Sequence, residues 1–150
     1  MSVEVTVATS ASPELRDALN RLVPQLSSSA KPLSDADVVR MTTDHDVVLF
    51  VAKNDDVIVG TLTLVVFAIP SGQRAWIEAV IVDADARGLG IGAALTNAAI
   101  EEGRRRGVRT IDLTSRPSRE AANKLYQKLG FEIRDTNVYR FFLESQEPEK

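Results

Sequence analysis

A glycine-rich segment in the middle of the chain constrains the fold more than any other feature of the sequence. The segment Arg87-Gly88-Leu89-Gly90-Ile91-Gly92 follows a run of branched aliphatic residues and precedes apolar residues at helical spacing. Glycines permit the positive φ angles of a tight loop and leave its backbone N–H groups accessible. Because such a loop at a helix start binds anions, the sequence predicts a strand, a diphosphate-binding loop and a helix in succession.

The residues before this segment predict antiparallel strands. Residues 3–7 alternate valine with polar side chains, which is the period of a half-buried strand. Residues 47–53 and 57–67 are rich in Val, Leu, Ile and Thr, and the polar residues 54–56 between them suit a hairpin turn. Residues 74–82 form another such run, so the middle of the chain is predicted to be a meander.

Four helices are predicted from capping residues and apolar spacing. Ser12 is placed to cap the first helix, and Ser34 with Asp37 forms a capping box for the second. The third follows the glycine segment and ends at Gly107, and Ser118 is placed to cap the fourth.

The remaining residues predict further strands and a tail. Residues 110–114 and 131–143 have strand character, the latter as one or two closing strands. Residues 144–150 form a polar tail that we expect to fray.

Composition excludes several classes of protein. A formal net charge of −3 over 150 residues does not supply the positive surface that nucleic-acid binding requires. The chain has no cysteine and a single histidine, His45, so we expect neither a metal site nor a cysteine nucleophile. No membrane segment or secretory leader pattern is present, and we expect one cytoplasmic domain over residues 1–150.

The glycine segment alone leaves two other interpretations open. Gly88, Gly90 and Ala93 also satisfy the dinucleotide-binding pattern G-x-G-x-x-G/A, and Asp112 stands at roughly the spacing of its acidic residue. In dinucleotide-binding folds the loop lies near the start of a parallel sheet, whereas here the strands predicted before the loop are antiparallel. Alternatively, the loop is a structural turn that binds nothing.

Two motifs together resemble the GNAT acetyltransferase family. The glycine segment after Val80-Ile81-Val82-Asp83 is similar to the family's motif Q/R-x-x-G-x-G/A. The segment from Ala122 to Phe131 is similar to its closing motif, A-x-x-L-Y-x-x-x-G-F. The resemblance implies an α+β fold, with a mixed, mostly antiparallel sheet of six to seven strands, split by a V-shaped opening and flanked by about four helices.

The resemblance also implies a bound acetyl-CoA whose pyrophosphate rests on the loop amides. It assigns cofactor binding to Arg87, Gly88, Leu89, Gly90, Ile91 and Gly92. A bulge in the preceding strand would free backbone groups for the pantetheine and the thioester, at Val80, Ile81 and Val82. Arg119 occupies a place where family members often have an asparagine.

The implied chemistry is transfer of an acetyl group to a primary amine by direct attack in a ternary complex. Tyr126 matches the family's general acid, although a tyrosine on an apolar helix face is also a common core residue. Glu78, a carboxylate within an apolar strand, resembles family residues that bind or deprotonate the acceptor, or is a solvated surface residue. His45 lies in a polar turn outside both motifs.

The expected partner is a small-molecule or peptide amine, without nucleic acid or membrane, and a homodimer is possible because dimers are frequent in the family. The rival interpretation is a non-catalytic module that binds acyl-CoA.

Overall fold

A computed structural model describes residues 2–144 of the chain. The chain divides into two compact units, Met1–Leu113 and Thr114–Lys150. Among the described residues, the first unit holds a five-stranded sheet and three α-helices, and the second holds one α-helix. The helices are α1 (Pro13–Leu22), α2 (Asp35–Thr43), α3 (Ile91–Arg106) and α4 (Glu120–Lys128).

The strands lie in the sheet in the same order as in the sequence. Neighbours from the first to the fourth strand pair antiparallel, and the fifth pairs parallel with the fourth. The helix α3 provides the crossover that a parallel pair needs. The strands are β1 (Val3–Val7), β2 (Val47–Asn54), β3 (Val57–Ile69), β4 (Gly72–Val82) and β5 (Ile111–Asp112).

Short-range sequence patterns explain where several elements begin. The Ser12 hydroxyl accepts a hydrogen bond from Leu15 N at 3.1 Å and caps α1. Ser34 and Asp37 form the predicted capping box at the start of α2. The turn between β2 and β3 has positive φ angles of 50° at Asp55 and 70° at Asp56, as a two-residue hairpin of the favoured twist requires.

Helix α3 packs against the sheet at a glycine. A Cβ atom on Gly60 of β3 would lie 3.0 Å from Ile91 Cγ2, 3.2 Å from Leu95 Cδ1 and 3.2 Å from Ile81 O. Ile91 and Leu95 are themselves fully buried. The absence of a side chain at Gly60 therefore sets how closely the first turns of α3 approach β3 and β4.

The other side of the sheet carries a core cluster of buried aliphatic residues. Leu15, Leu19 and Leu22 of α1 and Val38 of α2 pack there against aliphatic residues of β2, β3 and β4. The leucines of α1 are four and three positions apart, which places them on one face of the helix. None of the helices in the described part of the chain is long and apolar enough to cross a membrane.

The predicted number of strands is wrong, although the α+β class is right. The described residues contain five strands rather than six or seven, because residues 131–143 form no strand and the 110–114 run is reduced to two residues. Residues with strand propensity form a strand only where a paired neighbour is present to cover them. Here the large apolar side chains are exposed instead: Ile133, Val138, Tyr139, Phe141, Phe142 and Leu143.

Two expectations for the end of the chain need separate comment. Ser118 does not cap α4: the N-cap residue is Arg119, and its side chain makes no capping bond. Instead the Asn123 amide donates to Arg116 O at 2.8 Å and Arg119 O at 2.7 Å. Apart from Glu144, the tail predicted to fray lies outside the described residues.

The packing at Gly60 generates a stability prediction. We expect Gly60→Ala to lower the free energy of unfolding by about 1–3 kcal/mol, because the new methyl group overpacks against Ile91, Leu95 and the Ile81 carbonyl. Urea unfolding followed by circular dichroism measures the change. An unaltered unfolding midpoint would contradict the close packing of α3 on β3.

Candidate functional site

A short turn carries the chain from β4 into the glycine loop. Asp83 N donates to Val59 O at 2.8 Å, which extends the β3–β4 pairing by one bond. A single 3-10 turn over Ala84–Ala86 follows, and the Asp83 carboxylate accepts a hydrogen bond from Asp85 N at 3.2 Å. Ala86 is buried, whereas Arg87 is exposed. The loop therefore starts from a fixed point on the sheet.

The glycines of the loop are required by the backbone and not by contacts with the rest of the protein. Gly88 has a φ of 82° and Gly90 a φ of 76°, in the left-handed region that other residues seldom adopt. A Cβ atom at either position would meet nothing within 4 Å. Space next to the loop backbone is thus open, as close approach of a ligand requires.

The N-terminus of α3 lies at the end of this loop. Gly90 is the N-cap residue, no side chain caps the helix, and no acidic residue occupies its first turn. The first N–H groups of a helix have no partner within it, and the helix dipole places partial positive charge there. This arrangement favours an anion, in agreement with the diphosphate site that the sequence predicts.

A bulge interrupts β4 before the loop. Thr61 of β3 pairs with Ile81, and Thr63 pairs with Glu78, so one residue of β3 lies opposite two residues of β4, Ala79 and Val80. Ala79 has a φ of 50°, unusual for a residue other than glycine. A bulge leaves an extra residue out of the ladder and bends the strand.

The bulge lies where the resemblance implies it. Of the three predicted contact residues, Val80 lies in the bulge, and Ile81 and Val82 follow it, with Ile81 buried and the other two half-buried. On the opposite edge of β4, the pairing with β5 involves only Ala75 and Trp76. Beyond Trp76, the described residues give β4 no partner on that edge, so its backbone groups are available to a ligand.

Glu78 is an exposed residue at the start of the bulge. Alternation along β4 would place consecutive residues on opposite faces, yet both Glu78 and Ala79 are exposed. The bulge breaks the alternation, because an extra residue redirects the side chains around it. The carboxylate is thus accessible on the strand that leads to the glycine loop.

Tyr126 belongs to the second unit, on α4. Its side chain is buried, with 7% relative exposure, and its ring meets the ring of Phe131 edge to face at 5.8 Å between centroids. Burial raises the pKa of the Tyr126 phenol above its usual value of 10.0, and the positive charge of Arg119 partly opposes this. The phenol is therefore protonated at neutral pH, as a general acid must be.

The first unit brings together most of the predicted site residues. Glu78, the bulge residues and the glycine loop follow one another from β4 into α3. His45 lies apart, with an exposed side chain 3.7 Å from the Asp46 carboxylate. In the described part of the chain, no three acidic or histidine residues are grouped as a metal site.

Sequence reasoning missed the role of Asp83. In the sequence, Asp83 appears only as the residue before a loop, whereas in the structure its side chain caps the 3-10 turn that leads to the glycines. An aspartate side chain often accepts a hydrogen bond from the backbone N–H two positions further on and so forms a turn, which gave the sequence a weak indication of this role. Its long-range contacts had no such indication.

Comparison with known proteins places the chain among acetyltransferases. The chain matches the family described as Acetyltransferase (GNAT) over residues 14–131. A 63-residue segment, 42% of this chain, is 43% identical to an uncharacterized N-acetyltransferase from Methanocaldococcus jannaschii. That segment spans 28% of the relative, well under two thirds of its length.

Solved structures share the fold over nearly the whole chain. An acetyltransferase from Trypanosoma brucei has a TM-score of 0.75 at 26% identity, over 94% of this chain and 100% of the other. An aminoglycoside acetyltransferase from an uncultured soil metagenomic sample has a TM-score of 0.82 at 17% identity, over 95% of this chain and 97% of the other. The family resemblance and the fold class predicted from the motifs are confirmed.

Proposed function

Because the chain belongs to the GNAT acetyltransferase family, we propose that it is an N-acetyltransferase that moves the acetyl group of acetyl-CoA to a primary amine. The observation that carries this proposal is the open glycine loop at the uncapped N-terminus of α3. A diphosphate is the part of the coenzyme that such a loop favours.

In this proposal, the coenzyme binds along β4, the loop and α3. The pyrophosphate accepts hydrogen bonds from the backbone N–H groups of residues 88–92, and the Arg87 guanidinium adds a charge-assisted contact. Leu89 and Ile91 contribute through their backbone only, since Ile91 is buried. The pantetheine and the thioester lie along Val80, Ile81 and Val82, whose backbone the bulge and the short β5 leave accessible.

The proposed reaction needs one base and one acid. The amine nitrogen loses a proton to Glu78, directly or through water, and attacks the carbonyl carbon of the thioester. The bond between carbon and sulfur breaks, and the departing thiolate takes the proton of the Tyr126 hydroxyl. The second proton of the attacking nitrogen passes to the resulting phenolate, directly or through water. Backbone N–H groups of the bulge stabilise the negative charge that develops on the carbonyl oxygen. Glu78 releases its proton to solvent, so the protein returns to its starting state without a covalent intermediate.

The proposed acceptor is the primary amine of a small molecule or a peptide. One solved structure with the same fold is an aminoglycoside acetyltransferase, and another is a glucosamine-6-phosphate N-acetyltransferase from Arabidopsis thaliana. We propose a cytoplasmic protein without nucleic-acid or membrane partners, in keeping with the net charge of −3. We also propose that residues 1–150 act as one domain, because the family match runs across the division between the two units.

A second candidate is a non-catalytic module that binds acyl-CoA. The observation that favours it is Arg119, which stands at the N-cap of α4 in a place where family members often have an asparagine. In this case the loop would still hold the coenzyme, but no acetyl group would be transferred.

One experiment separates these functions. Calorimetric titration of the purified chain with acetyl-CoA, NAD and NADP is followed by an assay of free thiol release over a panel of amines. We expect acetyl-CoA binding and thiol release with at least one amine. Binding without thiol release over the panel would favour the module, whereas binding of NAD or NADP alone would refute both.

The proposed acid and base generate a prediction about turnover. We expect Tyr126→Phe and Glu78→Gln each to lower kcat by about 10²- to 10⁴-fold, the usual contribution of a positioned acid or base, while the Kd of acetyl-CoA is kept. Because the pKa of Tyr126 is raised, its phenol stays protonated below about pH 10, and we expect no loss of activity from its deprotonation in that range.

Matched controls lie elsewhere in the chain. Tyr139 is the other tyrosine and is exposed, and Glu4 is an exposed strand glutamate of β1. Tyr139→Phe and Glu4→Gln are expected to keep the wild-type kcat. If Tyr126→Phe behaved like Tyr139→Phe, the assignment of Tyr126 as the acid would fail.

We propose that the chain forms a homodimer through residues 131–143. Six large apolar side chains of this stretch are exposed, and a grouping of exposed apolar side chains is typical of an interaction surface: Ile133, Val138, Tyr139, Phe141, Phe142 and Leu143. A second copy of the chain would remove these side chains from water.

Changing charge on this stretch tests the dimer. We expect the wild-type chain to have the mass of a dimer in size-exclusion chromatography with light scattering, and Phe141→Asp with Leu143→Asp to shift it to a monomer. Val57→Asp, at an exposed valine of the β2–β3 hairpin, serves as the control and should stay dimeric. A monomeric wild-type chain would refute the proposal.

A further inference from the structure

The end of helix α1 is bonded to the start of the glycine loop. Arg21, in the last turn of α1, donates from Nη1 to Asp83 Oδ2 at 2.6 Å and from Nη2 to Ile58 O at 2.6 Å. In the 3-10 turn that follows α1, Gln25 Oε1 accepts a hydrogen bond from Ala84 N at 3.0 Å. These three contacts are called the junction contacts below, and they span 62, 37 and 59 positions of the sequence, respectively.

Asp83 is the centre of the junction contacts. One carboxylate oxygen accepts from Arg21, and the other accepts from Asp85 N and so caps the turn over Ala84–Ala86. The Asp83 side chain is 16% exposed, compared with 44% for Arg21. A carboxylate that is mostly removed from water needs its partner, so loss of Arg21 would leave a poorly solvated charge at this point.

The junction contacts fix the direction in which the loop leaves the sheet. Only the turn and Arg87 separate Asp83 from Gly88, the first glycine of the loop, which has a positive φ angle. Gln25 pairs the Ala84 N–H, and Arg21 bridges the end of β4 to the Ile58 carbonyl at the start of β3. If the turn could rotate freely, the loop N–H groups would lose their fixed position next to the N-terminus of α3.

We propose that Arg21 and Gln25 are positioning residues, which act through Asp83 and Ala84 to hold the loop amides in the geometry that binds the coenzyme diphosphate. The inference rests on the proposed function, because it assigns to these residues an effect on acetyl-CoA affinity. They touch neither the coenzyme nor the acceptor in this proposal. Their effect falls on binding, since the acid and the base lie elsewhere.

The chain offers a matched control ion pair. Arg74 Nη2 lies 2.6 Å from Asp112 Oδ2, the same distance as in the Arg21 pair, and the two side chains are 34% and 19% exposed. This pair joins β4 to β5 beside Ala75 and Trp76, before the bulge. It has similar chemistry and exposure but lies on the far side of the bulge from the loop.

The test compares Arg21→Gln, Asp83→Asn and Arg74→Gln. Asp83→Asn removes the charge and retains an oxygen that can cap the turn, which guards against a folding defect in Arg21→Gln. We expect the first two variants to raise the Kd and the KM of acetyl-CoA about tenfold, as the loss of a charge-assisted hydrogen bond would, with kcat within about twofold of wild type. Arg74→Gln should change neither constant, even where it lowers the melting temperature equally.

A conservative variant adds a rescue. Lysine at position 21 can keep the contact with Asp83 but cannot also donate to Ile58 O in the same fork geometry, so Arg21→Lys should give an intermediate Kd. Equal Kd values for Arg21→Gln, Asp83→Asn and Arg74→Gln would overturn the inference. Failure of the wild-type chain to bind acetyl-CoA would instead refute the proposed function, so the two failures are distinct.

Discussion

The close approach of α3 to the sheet at Gly60 is the constraint on which the candidate site depends. Ile91 and Leu95 reach the backbone of β3 there, beside the Ile81 carbonyl of β4. Ile91 is the first residue of α3, so the same contact that buries the helix also fixes the position of its N-terminus. The geometry of the candidate site is thus a consequence of core packing: the loop can be open to solvent because its far end is anchored in the interior.

The bulge in β4 shapes the other part of the candidate site, the strand that leads to the loop. A continuous antiparallel ladder would bond every second residue of β4 to β3 without interruption, and side chains would alternate strictly between the faces. The extra residue at Ala79 and Val80 breaks both patterns within two positions of Glu78. Ala79 adopts a conformation that is costly for a residue with a side chain, and strain of this kind is commonly found at functional sites.

Features determined by neighbouring residues could be predicted from the sequence, and features determined by distant contacts could not. The caps at Ser12 and Ser34 and the glycine loop follow from local spacing. The contact of Arg21 with Asp83 spans 62 positions, and nothing near either residue indicates it. An isolated glycine in a strand does indicate close backbone approach, so Gly60 could have been recognised. Residues 131–143 are rich in aromatic and branched apolar side chains, but such a composition does not reveal whether a partner strand exists.

The order of the strands has a consequence for synthesis of the chain. The first four strands pair in the order β1-β2-β3-β4, so each of these pairs joins strands that are consecutive in the sequence. All four strands are complete at Val82. A chain emerging from the ribosome amino terminus first can therefore assemble this part of the sheet before the glycine loop and α3 have left the exit tunnel. Helix α3 then packs onto strands that are already paired, with Gly60 in place. We expect the glycine loop to be among the last segments to fold.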